Sequence, residues 1–279
     1  MYKILYKETF SPGVHLMRLE APRIAKGRKP GQFVIIRTDD RGERIPLTMT
    51  GSDLKEGSIS IVFQEVGKST MQLGAMKAGD EILDVAGPLG NPTHIGNMGK
   101  VVCIGGGLGI APIFPITGAL KDAGNRIITI LGARSKNLLI MEKDMRAVSH
   151  ETFVTTDDGS YGRKGFVTDA LKEVIAKEGK IDHVVAIGPV PMMKAVVGVT
   201  KPANIPTLVS LNPIMVDGTG MCGVCRVTVA GKMKFACVDG PEFDGLNVDF
   251  DELTKRLRTY ASDEKHAVEK YKCSACASK

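Results

Sequence analysis

The sequence predicts a β barrel followed by an α/β unit. An antiparallel barrel occupies residues 1–97, a doubly wound parallel sheet residues 98–208, and a small cysteine-bearing module with a tail residues 209–279. Three observations carry this division. Short apolar strands punctuated by Gly and Pro fill the first hundred residues, strand–helix alternation begins near Gly99, and after Leu208 the alternation gives way to closely spaced cysteines.

In the first segment, "GQFVIIR" (Gly31 to Arg37) and "SISIVFQ" (Ser58 to Gln64) read as strands, with Ile59, Ile61 and Phe63 on one face. Turn signals such as "SPG", "KPGQ" and "GPLGNP" separate them, which suits a small antiparallel barrel. In the second segment "KVVCIGGG" is a buried strand running into glycines, "IAPIFPITGALKDAG" a helix and "RIITILGARS" the next strand. "ETFVTTDDG", "FVTDALKEVIAKEG" and "HVVAIGPVPMMKAVVGV" continue the βα pattern, so ligands are expected at the carboxyl ends of the strands. The charged tail "DELTKRLRTYASDEKHAVEKY" predicts one or two surface helices.

Composition narrows the function class. Over 279 residues, 37 Lys and Arg against 31 Asp and Glu give a net charge of +6, and the basic residues are scattered. Such a surface suits an acidic partner or phosphates and points away from nucleic acid. The opening "MYKILYKETF" has no signal-peptide apolar stretch and no run is long enough to span a membrane, so a cytoplasmic protein is expected. Closely spaced cysteines in that compartment bind metal or do redox chemistry more often than they form disulfides. Cys103, alone in an apolar run, is expected to be core.

The most specific motif is Asp217-x4-Cys222-x2-Cys225-x11-Cys237. Its spacing is that of a plant-type [2Fe-2S] loop with a carboxylate where the first thiolate belongs. Three thiolates and one carboxylate keep the ligand charge while replacing one soft donor with a harder one, which should alter the reduction potential. A Cys3Asp zinc site remains open, as does Asp217 acting only as the turn residue of "DGTG" with a fourth ligand elsewhere. Cys273 and Cys276 in the terminal "KCSACASK" are expected to form a non-ligating tail.

Three further stretches suit phosphates or a ring. "GGGLGIAP" (Gly105 to Pro112) joins a strand to a helix N-terminus, where bare backbone can approach a pyrophosphate, although G-x-G-x-x-G spacing is absent. "VGKST" (Val66 to Thr70) opens a helix and offers Lys68, Ser69 and Thr70 to a diphosphate, or is a simple helix cap. "ERIPLTMTG" places Thr48 after the rigid Pro46, where its hydroxyl faces a flavin edge or closes an ordinary barrel turn.

The order of these stretches along one chain resembles the ferredoxin-NADP reductase superfamily over nearly the full length. The similarity is strongest in the branch containing the dihydroorotate dehydrogenase electron-transfer subunit. Within that branch it resembles the small-subunit group of electron-bifurcating NADH-dependent ferredoxin:NADP+ oxidoreductases, also described as sulfide dehydrogenase subunits. The resemblance implies an FAD-binding barrel in which Pro46, Leu47 and Thr48 line the isoalloxazine, with Thr48 near N5. Val62, Phe63 and Gln64, then Gly67, Lys68, Ser69 and Thr70, would hold the ribityl chain and diphosphate. Relatives commonly carry an Arg three residues before the flavin Ser/Thr; Ile45 stands there, a departure at the flavin's phosphate contact, and Arg44, one place earlier, is the residue that a shifted turn would bring to it.

NAD(H) is expected at Gly106, Gly107, Leu108, Gly109, Ala133, Arg134, Asp157, Asp158, Gly188, Pro189 and Met192. The paired acids disfavour a 2′-phosphate, Arg134 favours one, and Ile187 replaces the Cys that relatives carry before Gly-Pro. The cluster ligands implied are Asp217, Cys222, Cys225 and Cys237. The implied activity moves electrons between NAD(H), FAD and a [2Fe-2S] cluster toward a larger flavin/iron-sulfur subunit in a heterodimer, with ferredoxin reached through that complex. Hydride transfer needs no side-chain acid or base, so no catalytic residue is expected. The alternatives are an electron-transfer subunit of an NAD-dependent dihydroorotate dehydrogenase, and a zinc-bound binding module with a degenerate nucleotide fold.

Overall fold

The computed structural model describes residues 1–277, with side chains described through Cys273. The first segment forms β1 (Tyr2–Ser11), β2 (Val14–Glu20), α1 (Pro22–Gly27), β3 (Phe33–Arg37), β4 (Ile45–Asp53), β5 (Ser58–Gln64), α2 (Lys68–Ala75), β6 (Glu81–Ile82) and β7 (Asp84–Leu89). Its seven strands pair antiparallel in the order β6-β1-β2-β5-β4-β3-β7, curling into a near-closed barrel. Ile59, Ile61 and Phe63 all point into the barrel core beside Met17, Val34 and Met49, as the alternation in "SISIVFQ" requires.

The second segment forms β8 (Lys100–Gly106), α3 (Ile110–Asp122), β9 (Arg126–Ala133), α4 (Glu142–Ala147), β10 (Glu151–Thr156), β11 (Arg163–Lys164), α5 (Val167–Glu178), β12 (His183–Ile187), α6 (Val190–Thr200) and β13 (Thr207–Ser210). These strands are parallel, and the central β8 and β9 are buried on both faces, which is why "KVVCIGG" reads as a continuous apolar run. Alternate residues feed different cores: Val102 and Ile104 face one packed layer, Val101 and Cys103 the other. Cys103 is therefore core, and burial pushes its thiol up to about 12.

The third segment forms β14 (Arg226–Val229), β15 (Lys232–Phe235), α7 (Ala236–Asp239), β16 (Glu242–Asp244), α8 (Phe250–Leu257) and α9 (Ala261–Ala277). β14 and β15 make a small hairpin. β16 leaves that module and adds antiparallel to β13 at the edge of the parallel sheet, giving the order β11-β10-β9-β8-β12-β13-β16. Phe33 and Ile35 of β3 lie in the same buried core as Met215, Cys225, Ala236 and Cys237. The tail forms α8 and α9, and α9 packs against α2 of the barrel.

Polar contacts reinforce the junction between barrel and cysteine module. The Asn91 N–H donates to the Gly240 carbonyl at 2.6 Å, and the Thr93 hydroxyl donates to Glu242 Oε1 at 2.8 Å. Burial pushes the Glu242 carboxyl up to about 7, and the Thr93 hydroxyl opposes this only in part. Between about pH 4.5 and 7 the folded chain keeps a proton that the unfolded chain has released, so stability falls as pH rises through that window and levels off above it. Glu242→Gln should flatten this slope and make the protein more stable than wild type at pH 8, by up to roughly 3 kcal/mol. Urea denaturation at pH 5 and pH 8 measures it.

Candidate functional site

The nucleotide-binding candidates gather where the sheet changes direction. The chain leaves β8 toward β9 on one side and returns to β12 on the other, so the topological switch point, where open α/β sheets bind their ligands, falls at the carboxyl ends of β8 and β12. Gly106 and Gly188 meet there across the Met192 thioether, since a Cβ on either glycine would press against Met192. A Cβ on Gly109 would overlap the Ile187 carbonyl oxygen and lie 2.8 Å from Gly188 Cα, so the turn into α3 packs directly on the end of β12. Ala133 ends β9, and its carbonyl accepts from the Asp157 N–H at 3.1 Å, while the Arg134 carbonyl accepts from Asp158 N–H at 3.2 Å. The Ser160 hydroxyl and N–H hold the Asp158 carboxyl below the usual carboxylate range. These residues therefore lie at the carboxyl ends of β8, β9, β10 and β12 on one edge of the sheet, with Arg134 exposed.

In the barrel, Pro46, Leu47 and Thr48 lie half-buried on β4, paired with Ile35, Val34 and Phe33 of β3. Val62, Phe63 and Gln64 end the neighbouring β5. The loop from Gly67 opens α2, but its hydroxyls are engaged. Thr70 Oγ1 accepts from the Val66 and Gly67 N–H groups, each at 3.0 Å, and so caps the helix. The Ser69 hydroxyl donates to Glu43 Oε2 at 2.8 Å. A carboxylate thus stands at the first turn of α2, where the helix dipole and free N–H groups favour an anion. Half-buried Lys68 lies beside it. This donor set fits a flavin diphosphate that displaces the exposed Glu43.

Arg44 departs from expectation. Instead of turning to the α2 loop, its Nε donates to the Val216 carbonyl at 2.8 Å and its Nη2 to the Asp217 carbonyl at 3.3 Å. The turn before β4 aims the guanidinium at the cysteine loop, and it is Glu43, the preceding residue, that meets Ser69 at the start of α2.

The cysteine loop folds around three left-handed glycines, Gly218, Gly220 and Gly223, with φ of 87°, 85° and 65°. A side chain at Gly218 would sit 2.8 Å from Leu89 Cδ1 and 3.0 Å from Ile35 Cγ1, so the loop lies flat on the barrel. Cys225 and Cys237 are buried with their sulfurs 3.3 Å apart, and Cys222 is exposed. Burial, then the Cys225 thiol, pushes the Cys237 thiol up, so loading with metal must release protons. Among the described residues no three His, Cys, Asp or Glu side chains converge on a single ion position. A close thiol pair with two further donors in the same loop fits a cluster that spreads its ligands over two irons.

Asp217 Oδ2 accepts from the Thr219 N–H at 2.9 Å and also from its hydroxyl, and these bonds hold the carboxyl below its usual range. This is a turn role. A carboxylate has about four lone-pair sites, so the turn leaves room for a metal bond. Cys273 is exposed on α9 and the side chain of Cys276 lies outside the described residues.

Sequence reasoning missed Glu43, Arg226 and Arg256 as parts of this site. Arg226 Nη1 donates to the Gly223 carbonyl at 3.0 Å and Arg256 Nη2 to the Val224 carbonyl at 3.1 Å. Adjacency to Cys225 was the available signal for Arg226; nothing local flagged the other two.

A barrel, a nucleotide crevice at a sheet switch point and a cysteine loop laid on the barrel define an oxidoreductase of the ferredoxin-reductase-like fold. Residues 103–198 match the oxidoreductase NAD-binding domain, and residues 212–249 match the iron-sulfur cluster binding domain of dihydroorotate dehydrogenase B. The dihydroorotate dehydrogenase B (NAD(+)) electron transfer subunit homolog of Thermotoga maritima is 50% identical over 269 residues, covering 96% of this chain and 95% of that protein. The corresponding electron transfer subunit of Fusobacterium nucleatum is 33% identical over 244 residues, covering 84% and 92%. A chain of the NADH-dependent reduced ferredoxin-NADP oxidoreductase, solved for insights into flavin-based electron bifurcation, superposes with a TM-score of 0.93 at 48% identity, covering 97% of this chain and 98% of that one. The Amycolatopsis cytochrome P450 reductase shares the fold alone, with a TM-score of 0.61 at 21% identity over 72% of this chain and 65% of that one. The chain belongs to the family of dihydroorotate dehydrogenase B electron transfer subunits and their homologs.

Gly109→Ala should weaken NADH binding about tenfold or more, near 1.4 kcal/mol, because the obstacle is backbone. Gly106→Ala meets only the flexible Met192 thioether and should cost less. Calorimetric NADH titration of both variants checks the order.

Proposed function

We propose that this chain is the NADH-facing electron-transfer subunit of a flavin-based electron-bifurcating NADH-dependent ferredoxin:NADP+ oxidoreductase. The observation that carries the reading is Asp217, a carboxylate in the first ligand position of the cysteine loop, in a chain whose whole length superposes on one from that enzyme class. In this reading residues 1–97 bind FAD, 98–208 bind NAD(H), and 209–279 hold the [2Fe-2S] cluster and tail. When bound, the nicotinamide supplies hydride, the flavin converts two-electron to one-electron chemistry, and the cluster carries single electrons.

The chain's own residues bind, orient and shield. Gly106, Gly107, Leu108 and Gly109 present bare backbone and the α3 N-terminus to the dinucleotide pyrophosphate. Gly188, Pro189 and Met192 close the crevice from the β12 side, and Ala133, Arg134, Asp157 and Asp158 border the adenosine end. Asp157 and Asp158 beside a ribose favour NAD(H), because a 2′-phosphate would meet two carboxylates. Pro46, Leu47 and Thr48 present a half-buried wall to the flavin ring; Val62 to Gln64 and Gly67 to Thr70 hold its chain and diphosphate. Asp217, Cys222, Cys225 and Cys237 ligate the cluster. No side chain moves a proton in hydride transfer.

The larger flavin/iron-sulfur partner subunit is expected against the exposed side of the cluster loop. Cys222, Met221, Val216 and Val238 are exposed there, forming an apolar rim. No helix among the described residues is long and apolar enough to cross a membrane, and the reading places the complex in the cytoplasm. A second reading, an electron-transfer subunit of an NAD-dependent dihydroorotate dehydrogenase, is favoured by the names of the Thermotoga and Fusobacterium relatives.

Anaerobic purification of the tagged chain with its natural partner separates the two. The proposal expects NADPH oxidation that reduces ferredoxin only when NAD+ is present; orotate formation by the co-purified partner contradicts it. Within the chain, Asp217→Cys should keep two irons with a changed potential, whereas Asp217→Ala should lose at least half of the iron and acid-labile sulfide. A wild-type cluster spectrum in Asp217→Ala would show that the aspartate is not a ligand.

A further inference from the structure

Three arginines, two of them from outside the loop and Arg226 at its end, converge on the backbone of the cysteine loop. Arg44, before β4, binds the Val216 and Asp217 carbonyls at 2.8 and 3.3 Å. Arg226, at the start of β14, binds the Gly223 carbonyl at 3.0 Å, and Arg256, on α8, binds the Val224 carbonyl at 3.1 Å. The first grips the loop at Asp217; the other two grip it between Cys222 and Cys225.

In a trans peptide the C=O and the following N–H point in opposite directions. Carbonyls 216, 217, 223 and 224 meet guanidinium groups, so the N–H groups of Asp217, Gly218, Val224 and Cys225 point away from the arginines. Among the described residues none of these four N–H groups donates to another backbone or side-chain oxygen. Donors that face away from the arginines and have no protein oxygen as partner suit the sulfurs of a bound cluster, whose reduction potential depends on such hydrogen bonds and on local charge.

We propose that Arg44, Arg226 and Arg256 are positioning residues forming a guanidinium clamp, which turns the loop N–H groups toward the [2Fe-2S] cluster and raises its reduction potential. The inference rests on the cluster reading above. Reduction adds negative charge, which nearby fixed positive charge stabilises. Arg44 and Arg256 are half-buried and act through less solvent than the exposed Arg226, so their effects are larger. Arg44 also belongs to the turn that leads into the proposed flavin strand, so the clamp ties that strand to the cluster loop.

The test uses the full chain, purified anaerobically and carrying Arg44→Gln, Arg256→Gln, Arg226→Gln, or Lys at the same positions. An EPR-monitored redox titration reads the potential, and hydrogen exchange reads the amides of residues 216–225. Arg44→Gln and Arg256→Gln should each raise the oxidised-to-reduced ratio at the wild-type midpoint about tenfold, equivalent to about 59 mV for one electron. Arg226→Gln should shift it less. The Lys variants keep the charge and lose the fork, so they should restore most of the potential while the loop amides still exchange faster than in wild type. A purified wild-type chain without acid-labile sulfide overturns the cluster reading, and this inference with it. Wild-type sulfide content with an unshifted potential in Arg44→Gln and Arg256→Gln overturns the clamp alone.

Discussion

The arrangement depends on one close approach, the seating of Gly218 on Ile35 and Leu89 of the barrel. There is no room for a Cβ at Gly218, whose left-handed backbone also favours glycine. Ile35 pairs across β3 and β4 with Pro46, the first of the three residues proposed to face a flavin. Asp217 therefore sits one residue from a loop position that touches the strand adjacent to β4. The shared core of Phe33, Ile35, Cys225 and Cys237 and the Thr93 to Glu242 hydrogen bond make this contact part of the fold's interior.

The parallel sheet adds the other half of the geometry. Its switch point lies between β8 and β12, and β13, on the far side of β12, accepts β16 from the cysteine module. A strand of the third segment thus completes the second segment's sheet, while that segment's loop rests on the barrel. Three pieces of sequence are locked by two sheets and one core, so movement of the cluster loop relative to either neighbour would cost packed apolar contacts.

Much of this architecture was legible in the sequence because periodicity is a local property. "SISIVFQ" alternates, and Ile59, Ile61 and Phe63 share the barrel core; "KVVCIGG" does not alternate in polarity, and β8 is buried on both faces. The glycines after "KVVCI" and "HVVAI" lie, as the strand–helix pattern implies, at the carboxyl ends of β8 and β12. What the sequence left hidden is long-range polar pairing. Arg44 lies 173 residues from Asp217, and its place before Thr48 suggested a phosphate contact, whereas its guanidinium bonds the carbonyls of the cluster loop. Likewise, "VGKST" offered two hydroxyls to a ligand, but Thr70 caps α2 and Ser69 is held by Glu43, a choice set by helix-end donors and by a neighbour 26 residues away.

In the proposed function, barrel and cluster loop are placed for electrons to pass from flavin to cluster within this one chain. Anaerobic stopped-flow mixing of the purified full chain with excess NADH, followed separately at the flavin and cluster absorption bands, measures it directly. Both bands should bleach without any partner subunit, the cluster following the flavin. A flavin that bleaches while the cluster stays oxidised would contradict it.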